Sequence, residues 1–233
     1  MSSSDDVAVV IPARDESDRI QATVKAAAVL PGVSLVLVVD DGSRDGTAAV
    51  AEGAGAAVVR HRRARGKGGA IATGGEAVRL LDSQQGRVTP RHLLFLDADL
   101  GETAEQAGPL AEPVRRGEAD MTIAVFSGTV KLGGHGFVVQ LSGAGIERAV
   151  GWRPAQPLNG QRCLTRAAFE AAQPIAAGWG AETALTIDLM RKGMRVTEVE
   201  VPLAHRATGT DWRAQWHRAR QFIDVGRALA RRL

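Results

Sequence analysis

The chain has 233 residues, 45% hydrophobic, 24% charged and 4% aromatic, with a formal net charge of +3, no tyrosine and one cysteine, Cys163. That length supports a sizeable interior in one large domain or two small ones sharing a core; one cysteine excludes an internal disulfide, and so few rings offer no stacking platform for nucleic acid. No window approaches the roughly 18 uncharged apolar residues of a membrane span, and MSSSDDVAVVIPA has neither a basic leader nor an apolar signal core, so a cytoplasmic location is expected.

Short Val- and Leu-rich runs recur along the chain at Val7–Ile11, Leu35–Val39, Ala56–Val59, Leu93–Leu96 and Met121–Phe126. They hardly alternate, as expected of strands covered on both faces. Helical segments fall between them, near 16–29, 45–53, 67–81 and 103–116. This order predicts an α/β fold, an open and mostly parallel sheet with helices on both faces and ligands at the strands' carboxyl ends. Beyond it come a glycine-rich loop at 127–136, a helix near 137–150 and a short extended piece at Gln161–Leu164. A helix near 181–192, a strand Arg195–Val201 stopped by Pro202, and a basic terminal helix complete the chain.

Polar motifs follow four of the runs. The first ends in IPARDES, where Pro12 is expected to end the ladder and Asp15, Glu16 and Ser17 suit a helix start. The second ends in Asp40-Asp41-Gly42-Ser43, which ordinary turn chemistry explains equally well. Arg65-Gly66-Lys67-Gly68-Gly69 heads a helix and places a lysine at its amino terminus, an anion-binding arrangement without the Walker spacing. The fourth run meets Asp97-Ala98-Asp99 directly. Two carboxylates at a buried strand end repel each other unless a cation compensates, and hard oxygens point to Mg²⁺ or Mn²⁺ shared with substrate phosphates.

In order and spacing these four motifs resemble the nucleotide-sugar half of family 2 type glycosyltransferases with the GT-A (Rossmann-like) fold, over about residues 7–101. The resemblance implies that Pro12, Ala13, Asp15 and Asp41 or Ser43 hold nucleoside and ribose. It further implies that Lys67 meets the nucleotide, and that Asp97, Ala98 and Asp99 serve ribose and metal. The second half is similar to glucosyl-3-phosphoglycerate synthases in Gln156–Gln161, Gly178-Trp179-Gly180-Ala181-Glu182 and Val201–Arg206. There the resemblance implies that His205 joins Asp99 on the metal and that Glu182 faces the sugar, as base or orienting group. The acceptor loop departs from that family, with Gly128-Thr129-Val130-Lys131-Leu132-Gly133 in place of its phosphate cradle. Lys131, Arg162 and Arg206 are the cations available to an anionic acceptor.

The expectation is one GT-A unit over 1–233, with a nucleotide-sugar half to about residue 101 and an acceptor half beyond. Its function is metal-dependent hexose transfer from a nucleotide diphosphate sugar, UDP-sugar favoured, to a small anionic acceptor. A polyprenyl-phosphate acceptor is the alternative, because the terminal helix puts Trp212, Trp216, Ala219, Ile223 and Leu229 mostly on one face among arginines, a pattern suited to peripheral membrane contact or to a homodimer. A sugar nucleotidyltransferase fits less well, since its glycines belong directly after the first strand and IPARDES has none. Nucleic acid is not an expected partner.

Overall fold

A computed structural model describes residues 6–126, 136–203 and 212–233, the side chains of 212–220 excepted. The chain runs β1 (Val7–Ala13), α1 (Ile20–Ala28), β2 (Val33–Asp40), α2 (Thr47–Gly53), β3 (Ala57–Arg60), α3 (Gly66–Gln84), β4 (His92–Phe95), α4 (Gly108–Arg115) and β5 (Met121–Phe126). Then follow α5 (Gly136–Val150), β6 (Arg162–Leu164), α6 (Arg166–Ala171), α7 (Ala181–Arg191), β7 (Val196–Val201) and α8 (Trp212–Ala230). Short 3₁₀ turns at Gly101–Ala107 and Gly178–Gly180 precede α4 and α7.

One seven-stranded sheet has the order β3-β2-β1-β4-β6-β5-β7, parallel except for β6, which runs antiparallel to both β4 and β5. Alternate residues of the strands enter opposite layers. Val7, Val9, Ile11, Val36, Val38 and Leu94 pack with α1 and α4 on one face, while Ala8, Val10, Leu37, Val39, Leu93 and Phe95 pack with α3, α6 and α7 on the other. Period-2 alternation is therefore present in the geometry but silent in the sequence, because both faces are dry. Helix α3 sits close on the sheet through Gly74 and Gly75: a Cβ on the first would stand 2.3 Å from Val10 Cγ1, and on the second 2.1 Å from the Phe169 ring.

Pro12 departs from expectation. It lies inside central strand β1, in register with Val39. Val10 O accepts from Leu96 N, so even-numbered β1 residues face β4, and β4's last paired residue is Phe95, opposite Val10. The missing proline N–H points past the end of that pairing. Helix α6 went unforeseen; its N-cap Thr165 accepts from Ala168 N, a local start signal over only six residues.

Candidate active site

Strands β1 and β2 deliver IPARDES and DDGSRDGT side by side at the carboxyl edge, where the two loops tie each other down. The amides of Asp15, Glu16 and Ser17 donate to Ser43 Oγ (2.9 Å), Thr47 Oγ1 (2.9 Å) and Asp45 Oδ2 (3.2 Å), and Asp15 Oδ1 accepts from Arg44 N at 2.7 Å. Asp15 adopts a left-handed backbone, φ 55°, a conformation Asp tolerates better than most residues. This cross-loop bonding spends the cap-forming residues sideways, so α1 begins at Ile20, later than its sequence suggests.

Asp41 is buried and engaged. Oδ1 lies 2.7 Å from His61 Nδ1 and accepts from Arg65 N at 2.7 Å, while Oδ2 accepts from Gly66 N at 2.8 Å. His61 Nε2 lies 2.9 Å from Thr73 Oγ1. An ionised carboxylate has about four acceptor positions; of the three engaged here, two fix the start of α3, where Gly66 takes φ 76°, and one faces His61.

That start aims Lys67 across the molecule. Its Nζ lies 2.9 Å from Asp97 Oδ1 and 3.1 Å from Glu182 Oε1, with the Trp179 ring centroid at 5.7 Å. Burial works against its charge, but Asp97 and Glu182 outweigh burial and hold the ammonium well above the ordinary lysine range. Glu182 stands in the first turn of α7 with its carboxylate 3% exposed, and it accepts no hydrogen bond among the described residues beyond that ion pair. Gly160 leaves the room: a Cβ there would come within 2.3 Å of Lys67 Nζ and 3.0 Å of Asp97 Oδ1.

The Asp97-Ala98-Asp99 turn is anchored from α1. Thr23 Oγ1 donates to Ala98 O at 2.8 Å and accepts from Gly101 N at 2.8 Å, and Arg19 Nη1 donates to Asp99 O at 3.1 Å. Ala98 itself is a core residue whose carbonyl is taken by Thr23, and it sets the spacing of the two acids. Asp97 and Asp99 are half-buried. Two hard carboxylates at a strand end fit Mg²⁺ or Mn²⁺ completed by substrate oxygens. Among the described residues no three His, Cys, Asp or Glu side chains gather as a metal set.

In the acceptor half the placement of Arg162 corrects the expectation. It is 2% exposed, donating from Nε to Asn159 O (2.8 Å), from Nη2 to Pro157 O (2.8 Å) and from Nη1 to Glu182 O (3.0 Å) and Thr186 Oγ1 (2.9 Å). Burial, partly offset by Glu182, pushes its pKa down to about 10. Its donors satisfy loop carbonyls beneath Glu182 and do not face an acceptor. Lys131, His205 and Arg206 lie outside the described residues, as do the side chains of Trp212 and Trp216. Sequence reading also passed over Asp224 of α8, whose Oδ2 accepts from Trp179 N at 3.1 Å and so ties the terminal helix to the Gly-Trp-Gly turn. It likewise passed over His61 and the arginines beside it, for which the run His61-Arg62-Arg63-Ala64-Arg65 directly after β3 was the available signal.

The sequence profile described as Glycosyl transferase family 2 matches residues 8–154, which holds every donor-edge motif above. The chain belongs to that family. Its class of activity is therefore glycosyl transfer. Among curated relatives it is 29% identical over 215 residues to glycosyltransferase AglJ of Haloferax volcanii, covering 91% of this chain and 67% of that one. It is also 34% identical over 119 residues to an uncharacterized protein of Methanocaldococcus jannaschii, 51% of this chain and 46% of that one. Solved structures of glucosyl-3-phosphoglycerate synthase from Mycobacterium tuberculosis share the fold. The complex with Mn²⁺, UDP and phosphoglyceric acid superposes with a TM-score of 0.73 at 24% identity, covering 96% of this chain and 78% of that chain. The complex with Mn²⁺, UDP-glucose and phosphoglyceric acid gives 0.71 at 26% identity, covering 97% and 80%. The mostly parallel sheet with helices on both faces is thus a GT-A fold. Among the described residues no helix is long and apolar enough to cross a membrane.

Proposed function

We propose that this chain, acting as one GT-A unit in the cytoplasm, moves a hexose from a nucleoside diphosphate sugar, uridine favoured, to a small anionic acceptor. The observation that carries this reading is the Lys67 bridge: a cation from the family-matched half holds an acid of the metal-type turn and a buried glutamate of the second half whose carboxylate has no other partner among the described residues. Such a glutamate is poorly solvated and has acceptor positions to spare, which suits it to orient or deprotonate a hydroxyl. Lys67 carries its charge at neutral pH, so it can neutralise a diphosphate leaving group once Asp97 turns to the ribose.

Asp99, with His205, would hold a divalent cation; when bound, that ion supplies further neutralisation of the leaving diphosphate. Ser43 and Asp15, already paired across the loops, and the backbone at Pro12 and Ala13 shape the nucleoside's place, with the remaining acceptor position of Asp41. Lys131 and Arg206 are assigned to the acceptor. The mycobacterial structures that match this fold were solved with Mn²⁺, UDP-glucose and phosphoglyceric acid, which supports the same donor and acceptor classes here.

A thermal-shift panel of nucleotide sugars with Mn²⁺ tests the reading, followed by turnover of Asp99→Ala. The variant should fold normally and lose activity by on the order of a thousandfold, about 4 kcal/mol of transition-state stabilisation. Native-like turnover would sink the reading. One observation favours a second acceptor class: Phe137, 71% exposed, stacks on Phe222, 40% exposed, at 5.6 Å, beside Ile223 at 48%. Transfer to a short polyprenyl phosphate on vesicles, with phosphoglycerate inert, would establish the lipid acceptor instead.

A further inference from the structure

At the carboxyl ends of β2 and β3 a cleft of about 700 Å³ opens. The guanidinium groups of Arg14, Arg44, Arg60, Arg62 and Arg63 line it, together with His61, and no Asp, Glu, Asn or Gln is among its lining residues. The acids beneath it are occupied. Asp40 Oδ1 accepts from Ser43 N at 2.8 Å and its Oδ2 sits 3.1 Å from Arg60 Nε, while Asp41 is spent on His61 and the α3 start. Both His61 nitrogens are engaged as well. A guanidinium donates five hydrogen bonds and accepts none, so the charged side chains of this wall are donors only.

The cleft's place on the sheet says what part of a donor reaches it. Asp97 and Asp99 follow β4, and the order β3-β2-β1-β4 puts β2 two strands and β3 three strands away. At about 4.8 Å per strand that is roughly 10–14 Å along the same edge, within the reach of one extended nucleotide. With the ribose at Asp97 and the diphosphate at Lys67, beside the cation that Asp99 would hold, the nucleobase arrives among the arginines. No aromatic ring besides that of His61 lines the cleft, so guanidinium planes must do the stacking.

The geometry points to base selection by these arginines: the cleft takes a nucleobase whose exposed edge carries an oxo group, uracil or guanine, and turns away cytosine and adenine. This rests on the nucleotide-sugar reading above. Uracil O4 and the guanine O6/N7 pair accept hydrogen bonds where the cytosine and adenine amino groups donate. An amino group against a guanidinium leaves two donors facing each other, and the hydrogen bond that an oxo group would accept is not made. Arg62 and Arg63 are the assigned readers: like Arg44 they are exposed and have no ion pair or side-chain hydrogen bond among the described residues, and they follow β3, the cleft's strand farther from Asp97 and Asp99, where the far edge of a base arrives.

UDP and CDP make the deciding pair, since they differ in the base's position-4 group and carry the same phosphate charge. General attraction to five arginines cancels in their ratio. Calorimetric titration of the full chain with UDP, CDP, GDP and ADP in Mn²⁺ should give UDP about tenfold or more tighter than CDP, and GDP tighter than ADP in the same sense. In the double variant R62A/R63A the UDP-to-CDP ratio should fall close to one with the thermal midpoint unchanged. Equal affinities for UDP and CDP in the native chain overturn the selection while leaving the donor reading standing. A ratio that survives in R62A/R63A removes these arginines as its readers and overturns the proposal. If none of the four nucleotides binds with Mn²⁺, the donor reading fails and takes this proposal with it.

Discussion

At the amino edge of the sheet one carboxylate, Asp82, serves three guanidinium groups, whereas at the carboxyl edge one ammonium, Lys67, serves two carboxylates. Asp82 pairs with Arg91 Nη1 through Oδ1, accepts from Arg91 N (3.1 Å) and Arg166 Nη2 (3.3 Å) through Oδ2, and has Arg87 Nε at 3.9 Å. Most of the surplus donors there find further acceptors: Ser34 Oγ and Gln85 Oε1 for Arg91, Gly75 O for Arg166, and Asp6 Oδ2 for Arg87. At Lys67 the arithmetic is left open, with the Glu182 carboxylate buried and, among the described residues, held only by the shared lysine. Both clusters are buried and charged, yet in the first both carboxylate oxygens accept hydrogen bonds and of the buried donors only Arg87 Nε and Arg166 Nε go without one, whereas in the second, among the described residues, the Glu182 carboxylate has only its ion pair. A closed network fixes helix ends and strands, while an open one stores capacity for a ligand.

The sharpest way to break this comparison is Asp82→Ala. It strands Arg91 and Arg166 in the interior without a counter-charge, so we expect about 3–5 kcal/mol of destabilisation, measured by urea unfolding, with activity per folded molecule kept. Glu182→Gln should do the reverse. Removing one of the two carboxylates that share Lys67 relieves a desolvated charge and leaves the lysine paired with Asp97, so stability should stay within about 1 kcal/mol of the native chain, while transfer falls on the order of a hundredfold. Should Glu182→Gln unfold the chain as readily as Asp82→Ala, the two edges are alike and Glu182 belongs to the scaffold.

What the sequence made legible follows the same division. The strands, the Asp97-Ala98-Asp99 turn and the glycine-lysine start of α3 are local, written in runs of a few residues, and each appears where its pattern predicts. The closed networks are not local. Asp82 meets Arg166 across 84 positions and Arg91 across nine, and nothing in either neighbourhood marks the partner. Arg162 misled for a related reason: an arginine beside Gln161 in a second-half motif reads as a ligand-binding cation, whereas its donors close the loop carbonyls of Pro157 and Asn159. Pro12 could be placed inside β1 only by knowing that β4 pairs no further than Phe95. Donor-edge chemistry was therefore readable because its signal is a short motif, and the support beneath it was not, because that signal is a fold.

The mildest test concerns the loop staple that sets the donor edge. The Thr47 hydroxyl, together with the amides of Thr47 and Ser17, holds the Asp45 carboxyl at about 2, well below the usual range. Because the folded value lies below the unfolded one of about 3.9, Asp45 favours the stapled loops above about pH 4, and this support is lost as pH falls through about 2. Asp45 is solvent-exposed, so solvent screens the interaction and its share of global stability is small. Titrating the Asp45 carboxyl carbon by NMR should give a midpoint near 2. Asp45→Asn, which removes the charge but not the shape, should loosen the amide of Ser17 in hydrogen exchange while leaving the amides around Asp82 untouched. A midpoint near the unfolded value would mean that the Asp45 contacts with Thr47 and Ser17 are not made in solution. Asp45 would then reach Ser17 only when a ligand draws the two loops closer.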